Sequence, residues 1–173
     1  MLERLLIAGS GGQGIVLIGR LFASTAVRNI PCVTFFPAYG AEVRGGTSDC
    51  HVVLSSDEIA SPLSERLDSM ILMNQASVDK FLPAVTKGCL ILINSSMCKA
   101  PARLPAVAVP ATELANQLGN TQTANFIMLG AYVARKRLVA PEDVEKGIAE
   151  AFSMKGQALT DINTKAFRIG LES

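Results

Sequence analysis

"RLLIAGSGGQGIVLIGRLFASTAVRN", Arg4 to Asn29, decides the fold. Arg4 to Ala8 is a short apolar run closed by Gly9. From Gln13 the apolar residues follow the spacing of a helix packed on a sheet, so the stretch reads as strand, tight turn, helix. "PCVTFF" then restarts a β-branched and aromatic run after Pro31, and "SDCHVVL" supplies a third strand. Further strands are expected at Asp68 to Asn74, Cys89 to Asn94 and Pro105 to Pro110. Helices are expected at Ala76 to Val85, Thr112 to Leu118, Gln122 to Arg135, Pro141 to Phe152 and Asn163 to Glu172. Strands alternating with helices, several of them near-continuous apolar runs, predict a largely parallel sheet covered on both faces. The segment from Phe35 to Leu54 has no room for a crossover helix between its two strands, so that pair is expected to be antiparallel. The fold class is therefore α/β: a three-layer α/β/α, Rossmann-like, mostly parallel sheet with one antiparallel pair.

The chain has 173 residues, which suits a single domain spanning 1–173. Only 18% of residues are charged and 49% are hydrophobic, with a mean hydropathy of +0.34, more apolar than a lone soluble monomer usually is. A subunit of a larger assembly is the better prior. The net charge of +1 and the absence of basic runs beyond "ARKRL" at Ala134 to Leu138 point away from nucleic acid. No apolar stretch reaches the ~18 residues of a membrane span, and no secretory signal pattern opens the chain, so a cytoplasmic location is expected. Cys32, Cys50, Cys89 and Cys98 lie singly without CxxC spacing, so no metal or iron–sulfur site is expected on this chain alone.

Two glycine-rich sites carry the chemistry. "GSGGQG" satisfies G-x-G-x-x-G after a strand and at the head of a helix. Gly9, Gly11, Gly12, Gln13 and Gly14 are thus candidates for a cofactor-binding turn, an anion or phosphate site with backbone N–H groups at a helix N-terminus. A dinucleotide would also require an acid about 20 residues on, at the end of the second strand. That strand ends "VTFFPAYG", and the first acid after the motif is Glu42, 28 residues past Gly14. The second site is "PAYGAEVRGGTS", Pro37 to Ser48. Its double glycine permits close backbone approach, and its Glu42 and Arg44 offer a carboxylate and a planar fork that clamps carboxylate or phosphate. The single histidine, His51, shares a strand face with Asp49. A Ser48–His51–Asp49 relay is poor geometry, because strand neighbours point to opposite faces.

Taken together, "GSGGQGIVLIGRLFA" and "FFPAYGAEVRGGTSDCHVVLS" resemble the gamma subunit, or gamma domain, of the 2-oxoacid:ferredoxin (acceptor) oxidoreductases. The likeness extends through "NTQTANFIMLGAY" to "NTKAFRIGLE". The form "AYGAEVRGGTS" looks more like the 2-oxoglutarate and branched-chain types than the pyruvate type. The resemblance implies an enzyme subunit, inactive alone and without catalytic residues of its own. Its complex would oxidatively decarboxylate a 2-oxoacid on thiamine diphosphate with Mg, pass electrons through [4Fe–4S] clusters to ferredoxin and hand the acyl group to coenzyme A. Those cofactors would be held mainly by the other subunits, the partners being alpha, beta and ferredoxin-like delta chains. Carried over, Tyr39, Glu42, Arg44, Gly45, Gly46 and Thr47 would form a loop facing the catalytic subunits. The alternatives are a stand-alone nucleotide-binding oxidoreductase and a coenzyme A-binding module.

Overall fold

The computed structural model describes residues 1–39, 47–63, 66–99 and 104–173. Six strands form one sheet: β1 (Leu2–Ser10), β2 (Cys32–Tyr39), β3 (Thr47–Ser55), β4 (Ser69–Leu72), β5 (Leu90–Asn94) and β6 (Ala106–Val109). Six helices accompany them: α1 (Ile15–Ala26), α2 (Gln75–Phe81), α3 (Ala111–Gln117), α4 (Ala124–Lys136), α5 (Pro141–Phe152) and α6 (Gln157–Leu171). The strand order is β2-β3-β1-β4-β5-β6. β1, β4, β5 and β6 are parallel, and β2 and β3 make the expected antiparallel pair. One further pairing was not legible in the chain order. β3 inserts between β2 and β1, with Leu2 opposite Ser55 and Ser10 opposite Thr47, and so runs against both neighbours.

α1 buries Ile15, Ile18, Leu21, Phe22 and Ala26, a stripe at helical spacing, and leaves Arg20 and Ser24 to solvent. The stripe packs on the face of the sheet bearing Leu5, Ile7, Cys50, Val52 and Leu54, where α4, α5 and α6 complete the larger core. α2 covers the opposite face at Leu6, Ala8, Met70, Leu72 and Ile93, a smaller cluster centred on Val78.

Every residue of α4 from Ala124 to Val133 is buried, in keeping with its apolar character all round. Gly130 lies against the Phe167 backbone of α6 and Gly170 against the Ile127 backbone of α4, so the two helices cross with no room for a side chain at either point. The lower end of α4 is tied to β1 by a buried polar cluster. The Glu3 carboxylate, 3% exposed, accepts from Ser69 Oγ at 2.6 Å and Tyr132 Oη at 3.1 Å, and pairs with Lys136 Nζ at 2.6 Å. Burial, and then the neighbouring Glu3 charge, push the Tyr132 phenol well above its ordinary range.

Several boundaries differ from the sequence expectation, three of them with a local cause. α6 starts at Gln157 rather than Asn163, launched by Gly156 at φ 99° and supported by a Gln157–Asp161 side-chain hydrogen bond on an exposed first turn that carries no apolar stripe. α2 stops at Phe81 and the chain tightens into a 3₁₀ turn, Leu82–Ala84, because Pro83 brings no N–H. α4 proper begins at Ala124 after a 3₁₀ turn at Thr121–Thr123, where the Asn120 side chain accepts from Gln122 N.

Candidate functional site

β1 delivers the chain to the glycine turn at its C-terminal end. Gly12, at φ 90°, and Gly14, at φ 70°, take up the left-handed backbone that turns the strand into α1. Gln13 locks the turn on itself: its backbone N–H donates to Ser10 O at 3.2 Å, and its Oε1 accepts from Ser10 N at 2.8 Å. A side chain on Gly9 would collide with Gln13 Oε1 and Ile15 Cδ1, so the strand end must be bare for the turn to close over it. The five residues read from the sequence as one turn are therefore brought together as one.

The turn borders a cavity of about 210 Å³ whose other walls include Met73, Met97, Thr112, Gln122 and Asn125. It opens beyond the C-terminal ends of β1 and β4, where the chain turns from building the sheet on one side of β1 to building it on the other. That is the crevice in which open α/β sheets bind ligands. Asn125, 3% exposed at the head of α4, donates from Nδ2 to Gly14 O at 3.4 Å. Asn94, fully buried at the end of β5, donates to Thr112 Oγ1 at 2.8 Å and accepts from Thr112 N at 3.3 Å, fixing the start of α3. Sequence reasoning gave none of these a site role. Its signals were the polar residue ending the apolar run "CLILIN" and the "NTQTANF" segment, which was read only as a mark of kinship.

Among the described residues no ionisable side chain lines this cavity. What these residues offer is amides and hydroxyls beside the start of α1, a set that binds an anion or a polar group.

The two flanks of the second predicted site lie at the same end of the sheet. β2 closes at Tyr39 and β3 opens at Thr47, which pairs with Ser10, the residue just before Gly11. Glu42, Arg44, Gly45 and Gly46 lie outside the described residues. The anchors of the two motifs are thus adjacent strand positions, which their separation in sequence did not reveal.

Asp49 and His51 share one face of β3, as the alternation predicts. Asp49 pairs with Lys80 of α2 at 3.2 Å, and among the described residues the His51 imidazole has no hydrogen bond to Asp49 or Ser48, so no Ser–His–Asp relay is assembled. Burial lowers the His51 pKa, with Asp49 opposing and Lys80 adding to the effect. Burial also pushes the Cys50 thiol up to about 12 and the Cys89 and Cys98 thiols to about 11, far from thiolate reactivity at neutral pH. Among the described residues no group of three or more His, Cys, Asp or Glu side chains is placed to hold a metal ion, and no helix is long and apolar enough to cross a membrane.

Comparison with known proteins matches residues 4–173 to the family described as pyruvate ferredoxin/flavodoxin oxidoreductase. The chain belongs to that family. Among its oxidoreductase relatives, the ketoisovalerate oxidoreductase subunit VorA of Methanothermobacter thermautotrophicus is 34% identical over 98% of this chain, which spans only 36% of that protein's length. The 2-oxoglutarate synthase subunit KorC of Archaeoglobus fulgidus is also 34% identical, over 96% of this chain and 84% of its own. Among solved structures, the keto/oxoacid ferredoxin oxidoreductase gamma subunit of Geobacter sulfurreducens superposes with a TM-score of 0.84 at 27% identity, covering 99% of this chain and 95% of that one. A longer chain, the 2-oxoglutarate:ferredoxin oxidoreductase of Magnetococcus marinus, shares the fold at a TM-score of 0.88 and 21% identity, with this chain covering 30% of it. The α/β architecture expected from the sequence is the architecture of this oxidoreductase family.

Proposed function

We propose that the chain is the accessory, gamma-type subunit of a thiamine-diphosphate-dependent 2-oxoacid:ferredoxin oxidoreductase. The complex converts a 2-oxoacid, coenzyme A and two oxidised ferredoxins to acyl-CoA, CO₂, a proton and two reduced ferredoxins. Membership of the family carries the reading, and the cavity agrees with it. A site walled by amides, hydroxyls and a helix start binds and positions, while the acid–base, thiamine and cluster chemistry belongs to alpha, beta and delta partners. Among the described residues no group of three or more His, Cys, Asp or Glu side chains is placed to hold Mg or a [4Fe–4S] cluster, and these groups are assigned, with thiamine diphosphate, to the partner subunits.

Gly9, Gly11, Gly12, Gln13 and Gly14 are assigned to an anion or phosphate of coenzyme A, for which the N–H groups of the turn and of α1 suit. Tyr39, Glu42, Arg44, Gly45, Gly46 and Thr47 are assigned to the surface that meets the catalytic subunits. Their strand anchors stand beside the turn. The form of the "AYGAEVRGGTS" segment favours the 2-oxoglutarate and branched-chain types over the pyruvate type, and of these 2-oxoglutarate is favoured by kinship to a KorC chain of which this one covers 84%.

The rival reading, a free-standing dinucleotide enzyme, meets a physical obstacle. In dinucleotide folds the strand whose end holds the ribose lies next to the first strand, whereas here β3 separates β2 from β1. The test is reconstitution. The chain expressed with its thiamine-binding partners should support 2-oxoacid- and coenzyme A-dependent reduction of ferredoxin or a viologen dye. The chain alone should be inactive, and Arg44→Ala in the complex should raise the KM for coenzyme A. Full activity of the partners without this chain, or micromolar binding of NAD(P)H, FAD or FMN to the chain alone, overturns the reading.

A further inference from the structure

The two edges of the sheet are built differently. β6 has four residues and lies between Pro105 and Pro110, a short edge blunted at both ends. β2 has eight residues, "CVTFFPAY", without a single charge, and its outer edge pairs with nothing among the described residues. No residue from Cys32 to Ala38 is fully buried, whereas on its neighbour β3 every residue from Val52 to Ser55 is. α1 reaches one face of β2, where Phe35 lies under Gly19. The other face carries Thr34 and Phe36. Phe36 is 39% exposed, Leu2 on the same face two strands away is 50% exposed, and Thr34 Oγ1 is buried with no hydrogen-bond partner. A long, uncharged edge strand with a free row of backbone donors and acceptors would template aggregation if left open in solution, and natural sheets avoid this with charge, short length or cover. Pro37 is the only such device on β2.

We infer that β2 is an assembly edge: an extended, uncharged segment of the catalytic part of the same oxidoreductase pairs along it as a seventh strand and covers Phe36 and Thr34. This inference rests on the subunit reading above. Two observations choose this occupant over a second copy of the chain. In VorA-type relatives this domain is about a third of one longer chain, so there its neighbour is covalently attached, while KorC-type relatives carry the domain as almost the whole chain. A domain found in both arrangements needs a standing contact with the same neighbour. In sequence β2 also runs directly into the Tyr39–Thr47 segment assigned to that neighbour.

Hydrogen exchange read by mass spectrometry tests this on the wild-type chain, isolated at two concentrations and within the purified active complex. The amides of residues 32–39 should exchange about tenfold or more slowly in the complex than in the isolated chain, while those of residues 106–109 change little. Unchanged exchange at 32–39 in a complex that turns over overturns the inference and leaves the subunit reading standing. Slowing in the isolated chain as its concentration rises makes a second copy the occupant and also overturns it. A chain that enters no complex at all counts against the subunit reading instead. Phe36→Lys, with its fold checked by circular dichroism, should fail to co-purify with the partners. A folded variant that still co-purifies in full counts against β2 as the contact.

Discussion

Gly14 holds two constraints in one residue. Its φ of 70° is a left-handed conformation, and the space a side chain would fill is taken by the Asn125 amide. Gly14→Ala is expected to cost about 1–3 kcal/mol from backbone strain and crowding together, read from the urea midpoint. Asn125→Ala in the Gly14→Ala background should recover only the steric share. His51 supplies a pH dependence. Burial sets its folded-state pKa below the ordinary value of 6.5, so below about pH 6.5 the unfolded chain binds more protons than the folded one and stability falls as the pH drops. His51→Gln should flatten that part of the profile in urea titrations between about pH 7.5 and 5.5. The glycines of the turn were legible as residues because their spacing states a backbone need. Asn94 and Asn125 were not, since an isolated asparagine in an apolar run gives no sign of which loop it will meet.

At the scale of elements, α4 is a strut fastened at both ends, by Asn125 to the glycine turn and by Tyr132 and Lys136 to Glu3 of β1. The lower fastening is a carboxylate 3% exposed, whose charge is balanced by the Lys136 ammonium. Lys136→Met leaves that carboxylate buried without its cation and should cost about 3–5 kcal/mol, seen in chemical denaturation. A Glu3→Gln, Lys136→Met pair should recover much of the loss, because it removes both charges. Element types and most boundaries were readable from periodicity, including the all-round apolar α4. The early start of α6 was not, because its first turn faces solvent and carries no stripe. The place of β3 between β2 and β1 was hidden for another reason: an antiparallel return strand can pair on either side of its predecessor, and local sequence does not say which.

For the whole molecule, low charge and an uncovered edge describe the same need for partners. Contact through an uncharged strand depends on backbone hydrogen bonds and apolar cover, and salt screens neither. The assembled complex should therefore stay intact in about 1 M salt, where the Debye length is about 3 Å. Size-exclusion chromatography at low and high salt checks this, and release of the chain at high salt would point to ion pairs as the main contact.

The sequence by itself determined the α/β class, the turn at Gly9 to Gly14, the antiparallel pair and the family, because each follows from patterns of neighbouring residues: periodicity, glycine spacing and two contiguous motifs. Only the tertiary structure decided that Ser10 and Thr47 are strand partners, that Asn125 lines the cavity while Asn94 fixes the Thr112 beside it, and that β2 is left open at the edge among the described residues. Those facts come from which strands lie side by side. That choice is made by burying the most apolar surface across the whole chain, so no short stretch of residues records it.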